Sequence, residues 1–264
     1  MKKILAGVLL TAGLGACSTT TTPSDETRGW PVERLYAEAR DELNGSNYTR
    51  AAQLYETLEA RYPYGRYAQQ AQLDLAYTFY KDKEPQQALA ACDRFIKLHP
   101  AHPNLDYAYY LKGLVNFNED ESLLSRWTGQ DISERDPRAA REAFQSFRDL
   151  VTRFPNSQYA ADAQIKMTHL VNSMAANEMH VARYYMTRKA YLAAVNRAQS
   201  VVKEFSNTRY MEEALAVMVS GYTALNLPQL ADDSRRVLAK TYPDSLYLKQ
   251  DWQPAEMPWY QFWR

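Results

Sequence analysis

The side chains most able to ligate a metal or attack a substrate are few in this sequence. There are four histidines, His99, His102, His169 and His180, and two cysteines, Cys17 and Cys92. No histidine pair has the His-x3-His or His-Glu-x2-His spacing, and Cys92 has no second cysteine at ligand distance, so a metal site lacks its donor set. His99 and His102 flank a Pro-rich turn, where a solvated turn residue is the simplest reading. The chain holds no Gly-x4-Gly-Lys-Ser/Thr, no Gly-x-Gly-x2-Gly and no Gly-x-Ser-x-Gly. Glu119-Asp120-Glu121 falls in a polar stretch and reads as solvated charge. Nothing assembles a nucleophile, a base and an oxyanion site, so the expectation is a non-enzymatic protein with no metal and no cofactor. The 20 tyrosines suit helix–helix contacts, because the ring packs while the hydroxyl keeps a polar partner.

One cysteine stands apart. Lys2 and Lys3 form a short positive region, and Ile4 to Leu14 is an apolar run too short to span a bilayer, which needs about 20 residues. It reads as the core of a signal peptide covering residues 1–16. Leu14-Gly15-Ala16-Cys17 follows and resembles the lipobox of bacterial lipoproteins, which implies that Cys17 becomes the lipidated first residue. Ser18 stands where an Asp would argue for retention in the inner membrane, so the resemblance implies an outer-membrane anchor with the body facing the periplasm. The alternative is an ordinary cleaved signal followed by a chance cysteine. Residues 17–31, rich in Thr and Ser at the start, read as a flexible tether that cannot build a core.

Loss of residues 1–16 takes Lys2 and Lys3 with it and leaves a formal charge of about −2 from the balanced 31 bases and 31 acids of the full chain. No basic excess exists to drive phosphate-backbone binding, so nucleic acid is not an expected partner. With Cys17 acylated, Cys92 cannot form an intramolecular disulfide; it reads as a small core residue, with a reactive thiol as the alternative. Only nine glycines, with abundant Ala, Leu, Gln, Glu and Arg, favour helix over strand.

The elements that would position these side chains are repeats. The unit Ala-x3-apolar-x2-apolar-x4-Pro occurs as Ala51, Tyr55, Leu58, Pro63, as Ala88, Cys92, Phe95, Pro100, and as Ala143, Phe147, Leu150, Pro155. Weaker copies are Ala194, Ala198, Val201, Ser206 and Ala231, Arg235, Leu238, Pro243. Positions i, i+4 and i+7 share a helical face, the Ala permits close helix approach, and the Pro ends the helix. The pattern resembles the second helix of the tetratricopeptide repeat, whose unit is about 34 residues. An aromatic residue, Pro or Ser, then Tyr four residues later marks the boundaries at Tyr67, Tyr159, Tyr210 and Tyr247; after His99-Pro100 a second proline, Pro103, intervenes and the Tyr arrives at Tyr107.

The expected fold is therefore all-α, a superhelical stack of about five tetratricopeptide-like helical hairpins over residues 32–247. Repeats fall near 32–65, 66–102, 103–157, 158–207 and 208–245. The spacing Ala88 to Ala143 is long because of residues 118–136, read as a surface loop whose Trp127 leans toward contact with a partner. The spacing Ala143 to Ala194 is long because of residues 174–189, read as a lengthened helix. Residues 248–264 carry Trp252, Trp259, Tyr260, Phe262 and Trp263 in a Pro-broken tail. The preferred reading is a tail folded back to cap the last hairpin; insertion into a partner or the headgroup region is the other.

Lipobox, tether and five hairpins together resemble the BamD (ComL) family of outer-membrane protein assembly lipoproteins. The stretches that carry the resemblance are Arg61-Tyr62-Pro63-Tyr64-Gly65-Arg66-Tyr67, Asp93-Arg94-Phe95-Ile96, His102-Pro103-Asn104-Leu105-Asp106-Tyr107, Arg135-Asp136-Pro137, Phe154-Pro155-Asn156-Ser157-Gln158-Tyr159 and Val195-Asn196-Arg197. The resemblance covers roughly Val32 to Tyr242. It implies membership of the Bam complex, docking on the POTRA domains of BamA beside other Bam lipoproteins, and reception of unfolded outer-membrane β-barrel proteins. Arg61, Tyr62, Tyr64, Arg66, Tyr67, Asp74, Tyr77 and Tyr80 are then candidates for holding a substrate peptide, with packing between repeats as the alternative for the tyrosines. Arg197 is the candidate for a salt bridge to BamA, with a solvated arginine as the alternative. A periplasmic scaffold organising peptidoglycan enzymes is the competing function. A role in competence is a third, which the charge balance disfavours for direct DNA contact.

Overall fold

The computed structural model describes residues 26–117 and 137–253. Among these there are ten α-helices and no strand. They pair in order: α1 (Val32–Asn44) with α2 (Tyr48–Arg61), α3 (Arg66–Lys81) with α4 (Pro85–Leu98), α5 (Leu105–Phe117) with α6 (Pro137–Arg153), α7 (Ala160–Thr187) with α8 (Tyr191–Glu204), and α9 (Met211–Ala224) with α10 (Pro228–Thr241). A short 3-10 turn, Leu246–Leu248, follows. Each helix packs on the next along the chain, and the first helix of a hairpin also touches the first helix of its neighbour, as α1 does α3, α3 does α5 and α7 does α9. The result is a superhelical stack of five tetratricopeptide-like hairpins.

The repeat pattern is the core. Ala51, Tyr55, Leu58, Ala88, Cys92, Phe95, Ala143, Phe147, Leu150, Ala194, Ala198 and Val201 are all fully buried. Burying one such Leu or Phe side chain is worth about 1.5–3 kcal/mol, so these seams dominate the stability of the stack. The last copy departs: Ala231 and Leu238 are buried but Arg235 is exposed, since no further helix among the described residues covers that face of α10. A terminal repeat needs such a polar outer face. At each boundary an aromatic or imidazole residue closes the second helix: the amide of Tyr62, His99, Phe154, Phe205 or Tyr242 donates to the carbonyl four residues back. The Pro or Ser that follows ends the ladder.

Inside the hairpins the turn is made differently. Ser46, Lys83, Lys189 and Asn226 each sit at positive φ, between 57° and 63°, in a three-residue link between paired helices. Their neighbours cap the first helix in the same way each time, as when the amides of Gly45, Asp82, Arg188 and Leu225 bond four residues back. Left-handed backbone disfavours side chains, least for Asn, so three of these four turns carry local strain of about 1 kcal/mol that packing of the hairpin offsets.

The fourth hairpin is the long one. α7 runs for 28 residues, about 42 Å at 1.5 Å per residue. The residues 174–189 expected to lengthen it lie within it up to Thr187. Two glycines let first helices approach closely, Gly113 of α5 its hairpin partner α6 and Gly221 of α9 the preceding α8. A Cβ on Gly113 would lie 2.4 Å from the buried Phe147 ring, and one on Gly221 would lie 2.4 Å from Val195.

The N-terminal side differs from expectation. The tether of residues 17–31 was expected to be free throughout, yet residues 26–31 are docked on the first hairpin. Thr27 is buried, and the Arg61 guanidinium donates to its carbonyl at 2.6 Å and to its hydroxyl at 2.8 Å. The Trp30 amide closes a turn on the Thr27 carbonyl, with Gly29 at φ 85° supplying the left-handed corner. The Tyr62 hydroxyl holds the Trp30 carbonyl at 2.9 Å, and Arg34 stacks over the Trp30 ring at 4.0 Å. Composition alone misses this, because Arg61 and Tyr62 lie more than 30 residues from the Thr27 and Trp30 groups they hold.

Candidate partner-binding face

The tyrosines and acids of the first helices collect on one side of the stack. α1 contributes Tyr36, α3 Tyr67, Asp74 and Tyr77, α5 Tyr107 and Tyr110, and α7 Asp162, just after Tyr159 at its cap. The helices place them there because boundary tyrosines recur at the start of each hairpin, where one first helix meets the next. Tyr36 and Tyr67 rings lie 5.4 Å apart, Tyr107 and Tyr159 5.4 Å, and Tyr110 stacks on Tyr159 at 4.7 Å. The Tyr110 hydroxyl donates to Asp162 at 2.7 Å.

The candidates at the first boundary separate into two groups. Arg61 and Tyr62 hold the docked N-terminal segment, as described above. Tyr64 is 90% exposed on the loop before α3, and Arg66 is exposed with its guanidinium 5.1 Å over the Tyr67 ring. Tyr67, Tyr77 and Tyr80 are half-buried, Tyr77 and Tyr80 with rings 6.3 Å apart. Packing and an available ring face therefore coexist in the same residues, and Tyr64 alone of the group presents a nearly bare ring.

Asp74 is held by two neutral donors: the Tyr36 hydroxyl at 2.7 Å and the Gln70 amide at 2.8 Å. Burial pushes its pKa above the usual carboxylate range, opposed by those two hydrogen bonds and by Arg40 nearby. Burial also pushes Tyr36, Tyr55 and Tyr107 up, each with a further contribution from the Asp74 charge. Sequence reasoning did not single out Tyr36 as a site residue, because it lies on α1 ahead of any boundary signature. Tyr55 was read as core only.

Arg197 is not simply solvated. On α8 it donates to Glu178 of α7 at 3.2 Å, with 47% of its side chain exposed and only 11% of the Glu178 side chain. Farther along, Arg183 of α7 makes a two-pronged bond to Glu213 of α9 at 2.7 and 2.5 Å, which Trp252 joins through its indole N–H at 3.2 Å. Trp252 is 6% exposed and belongs to the core of the fourth and fifth hairpins. Trp127, and tail residues 254–264, lie outside the described residues, as does Cys17.

The histidines differ from the solvated turn expected. His99 and His102 are half-buried with ring centres 5.1 Å from Phe95, and His99 Nε2 bonds the Gln72 carbonyl oxygen at 2.7 Å. His99 stands in the aromatic closing position of its repeat, and that position packs inward. Burial pushes the Cys92 thiol up to about 12, which suits a core residue and not a nucleophile. Among the described residues no group of three His, Cys, Asp or Glu is gathered to hold a metal, and no helix is long and apolar enough to cross a membrane.

A family model described as an outer membrane lipoprotein, YfiO, matches residues 29–238. The chain belongs to that family. Its relatives include a protein of Neisseria meningitidis serogroup B named outer membrane protein assembly factor BamD, 57% identical over the whole of both chains. A protein of the same name from Xylella fastidiosa is 39% identical over 85% of this chain and 77% of its own. Another from Vibrio cholerae is 33% identical over 89% of this chain and 96% of its own. These YfiO-family relatives are named as assembly factors and not as enzymes, and the tyrosine-lined face falls wholly within the matched residues.

Proposed function

We propose that this protein is a non-enzymatic lipoprotein of the outer-membrane β-barrel assembly complex, anchored through Cys17 and facing the periplasm. It docks on the POTRA domains of BamA, sits beside other Bam lipoproteins, and helps receive unfolded outer-membrane β-barrel proteins. The observation that carries the reading is the 57% identity over the full length of a relative named BamD. The first helices support the substrate role, since half-buried ring faces spaced along a helical stack suit an extended peptide with aromatic side chains. Tyr64, Arg66, Tyr67, Asp74, Tyr77 and Tyr80 form the receiving surface. Arg61 and Tyr62 contribute by fixing its edge. Arg197 offers its exposed half to an acid of BamA, and Trp127 is a further candidate for partner contact.

The test is affinity purification of the lipidated protein from outer membranes in mild detergent, with mass spectrometry of what accompanies it. BamA in near-equal amount is the expected result. Recovery of peptidoglycan enzymes without BamA overturns the proposal in favour of a cell-wall scaffold. A Cys17→Ser variant should leave the outer-membrane fraction and appear soluble in the periplasm; retention in the membrane overturns the anchor.

A further inference from the structure

The boundary between the first two hairpins is charged unlike the others. From the end of α2 to the start of α3, residues 61–66 carry Arg61 and Arg66 and no acid. The matching stretch before α5, residues 98–105, holds no Lys, Arg, Asp or Glu. That before α7, residues 153–160, has only Arg153, and that before α9, residues 204–211, sets Glu204 against Arg209. The docked N-terminal segment brings Arg28 and Arg34 to the same edge, because the Arg61 guanidinium and the Tyr62 hydroxyl hold Thr27 and Trp30 there. Of the two acids between residues 26 and 34, Glu26 is paired with Arg50 at 3.3 Å, and Glu33 stands in the first turn of α1. Arginines are therefore in excess at this one edge of a slightly acidic chain.

Aromatic rings accompany the charges. Among the described residues no other large apolar side chain is as bare as that of Tyr64. The loop is built to display it: Pro63 fixes φ on one side, and Gly65 turns at φ 96° on the other, where a side chain would be strained. Trp30 is half-buried under the Arg34 guanidinium, while Arg28, Arg34 and Arg66 are exposed. Arginine beside Trp and Tyr is the composition favoured at a lipid headgroup layer, where rings sit among the headgroups and cations meet anionic phosphate. The docking also sets a distance. Glu26 lies nine residues after Cys17, a span of at most about 32 Å, whereas a tether undocked as far as Val32 would reach about 54 Å.

We propose that Arg28, Trp30, Arg34, Tyr64 and Arg66 form a surface that rests on anionic lipid headgroups beside the anchor. Arg61 and Tyr62 are the clamp that shortens the tether and holds the docked segment against the first boundary. Tyr64 and Arg66 also belong to the receiving surface proposed above, so a substrate peptide is met at the lipid. The setting rests on the Cys17 anchor of that proposed function; the surface itself rests on its own charge and exposure.

The experiment couples the mature full-length chain through the Cys17 thiol to a maleimide lipid, so the tether keeps its length whether or not the cell acylates Cys17. Cys92 is buried and does not compete. The vesicles are phosphatidylcholine, alone or with about one-third phosphatidylglycerol. Hydrogen exchange read by mass spectrometry follows the backbone at residues 28–30 and 64–66. Exchange slowed by about fivefold or more on the anionic vesicles, not slowed on the neutral ones, is the expected result. The slowing should be lost in Arg28→Gln/Arg34→Gln and kept in Arg141→Gln/Arg188→Gln, which removes two exposed arginines elsewhere. Equal exchange on the two kinds of vesicle, or slowing unchanged in Arg28→Gln/Arg34→Gln, overturns the proposal. Slowing that needs added POTRA domains of BamA and ignores lipid charge gives the surface to a protein partner and overturns it too. Because the coupling is chemical, retention of Cys17→Ser in the membrane overturns the anchor without altering the exchange, and absence of the exchange effect leaves the anchor standing.

Discussion

The two ends of the stack hold two half-buried acids, Glu213 and Asp74, in different ways. In the fourth and fifth hairpins Glu213 receives both prongs of Arg183 and the Trp252 indole, and Glu178 receives Arg197. In the first two hairpins Asp74 receives only Tyr36 and Gln70. Removing the cation of a paired acid strands its charge, whereas Asp74 has only neutral hydrogen-bond donors and the more distant Arg40 charge. Arg183–Glu213 thus fastens the fourth hairpin to the fifth as Arg94–Glu59 fastens the first to the second, and Asp74 is the acid that departs from this pattern.

The largest effect is expected at Arg183. Arg183→Ala leaves the Glu213 carboxylate, 19% exposed, without its cation and should cost about 2–3 kcal/mol. For a chain of this size that is a fall of about 5–10 °C in the melting temperature, read by circular dichroism. Adding Glu213→Gln should recover part of the loss, and a double-mutant cycle with no coupling would remove the claim that this pair fastens the fourth hairpin to the fifth.

Trp252 comes next. Its burial and its bond to Glu213 make Trp252→Ala cost about 2 kcal/mol, less than a mid-core tryptophan because the chain end can relax. Removal of residues 251–264 should lower the melting temperature by a similar amount if the tail caps the array. Unchanged melting after that truncation would leave the tail free for a partner or the headgroup region.

A smaller effect is expected at Arg197, whose side chain is 47% exposed. Arg197→Gln should cost about 1 kcal/mol or less. Charge reversal to Glu confuses two effects, since it sets a second acid against Glu178. Arg197→Gln beside Glu178→Gln separates them: both lose the internal pair, but only the first should reduce BamA recovery. Equal recovery in the two variants would return Arg197 to a purely internal role.

Much of this fold is written in the periodicity. Ala51, Tyr55 and Leu58 announce their burial by spacing alone, and Tyr67, Tyr107, Tyr159 and Tyr210 mark the hairpin starts within two residues. The links inside the hairpins are far less legible. Two of their left-handed corners fall on Lys83 and Lys189, residues that signal no turn, and only helix pairing around them imposes the conformation. The docking of residues 26–31 was hidden for a related reason, since Thr27 is held by Arg61 from the far end of α2. At the candidate face the boundary tyrosines were legible, but Tyr36 was not. Its role depends on meeting Asp74 across 38 residues of chain, a pairing that no local pattern encodes.

That pairing gives the smallest effect and the sharpest contrast. Asp74 has its native pKa raised by burial, so in the window between an unfolded carboxylate value of about 3.9 and that raised value the native state binds more protons than the unfolded state. Stability contributed by this residue must then fall as pH rises through the window and be lowest above it. A compensated acid would do the reverse. Asp74→Asn removes the titration, so the stability of the variant relative to the parent should rise with pH across the window, in denaturant unfolding measured at several pH values. A difference that is flat with pH, or one that falls, would mean that Asp74 is compensated after all, and the distinction between the two ends of the stack would vanish with it.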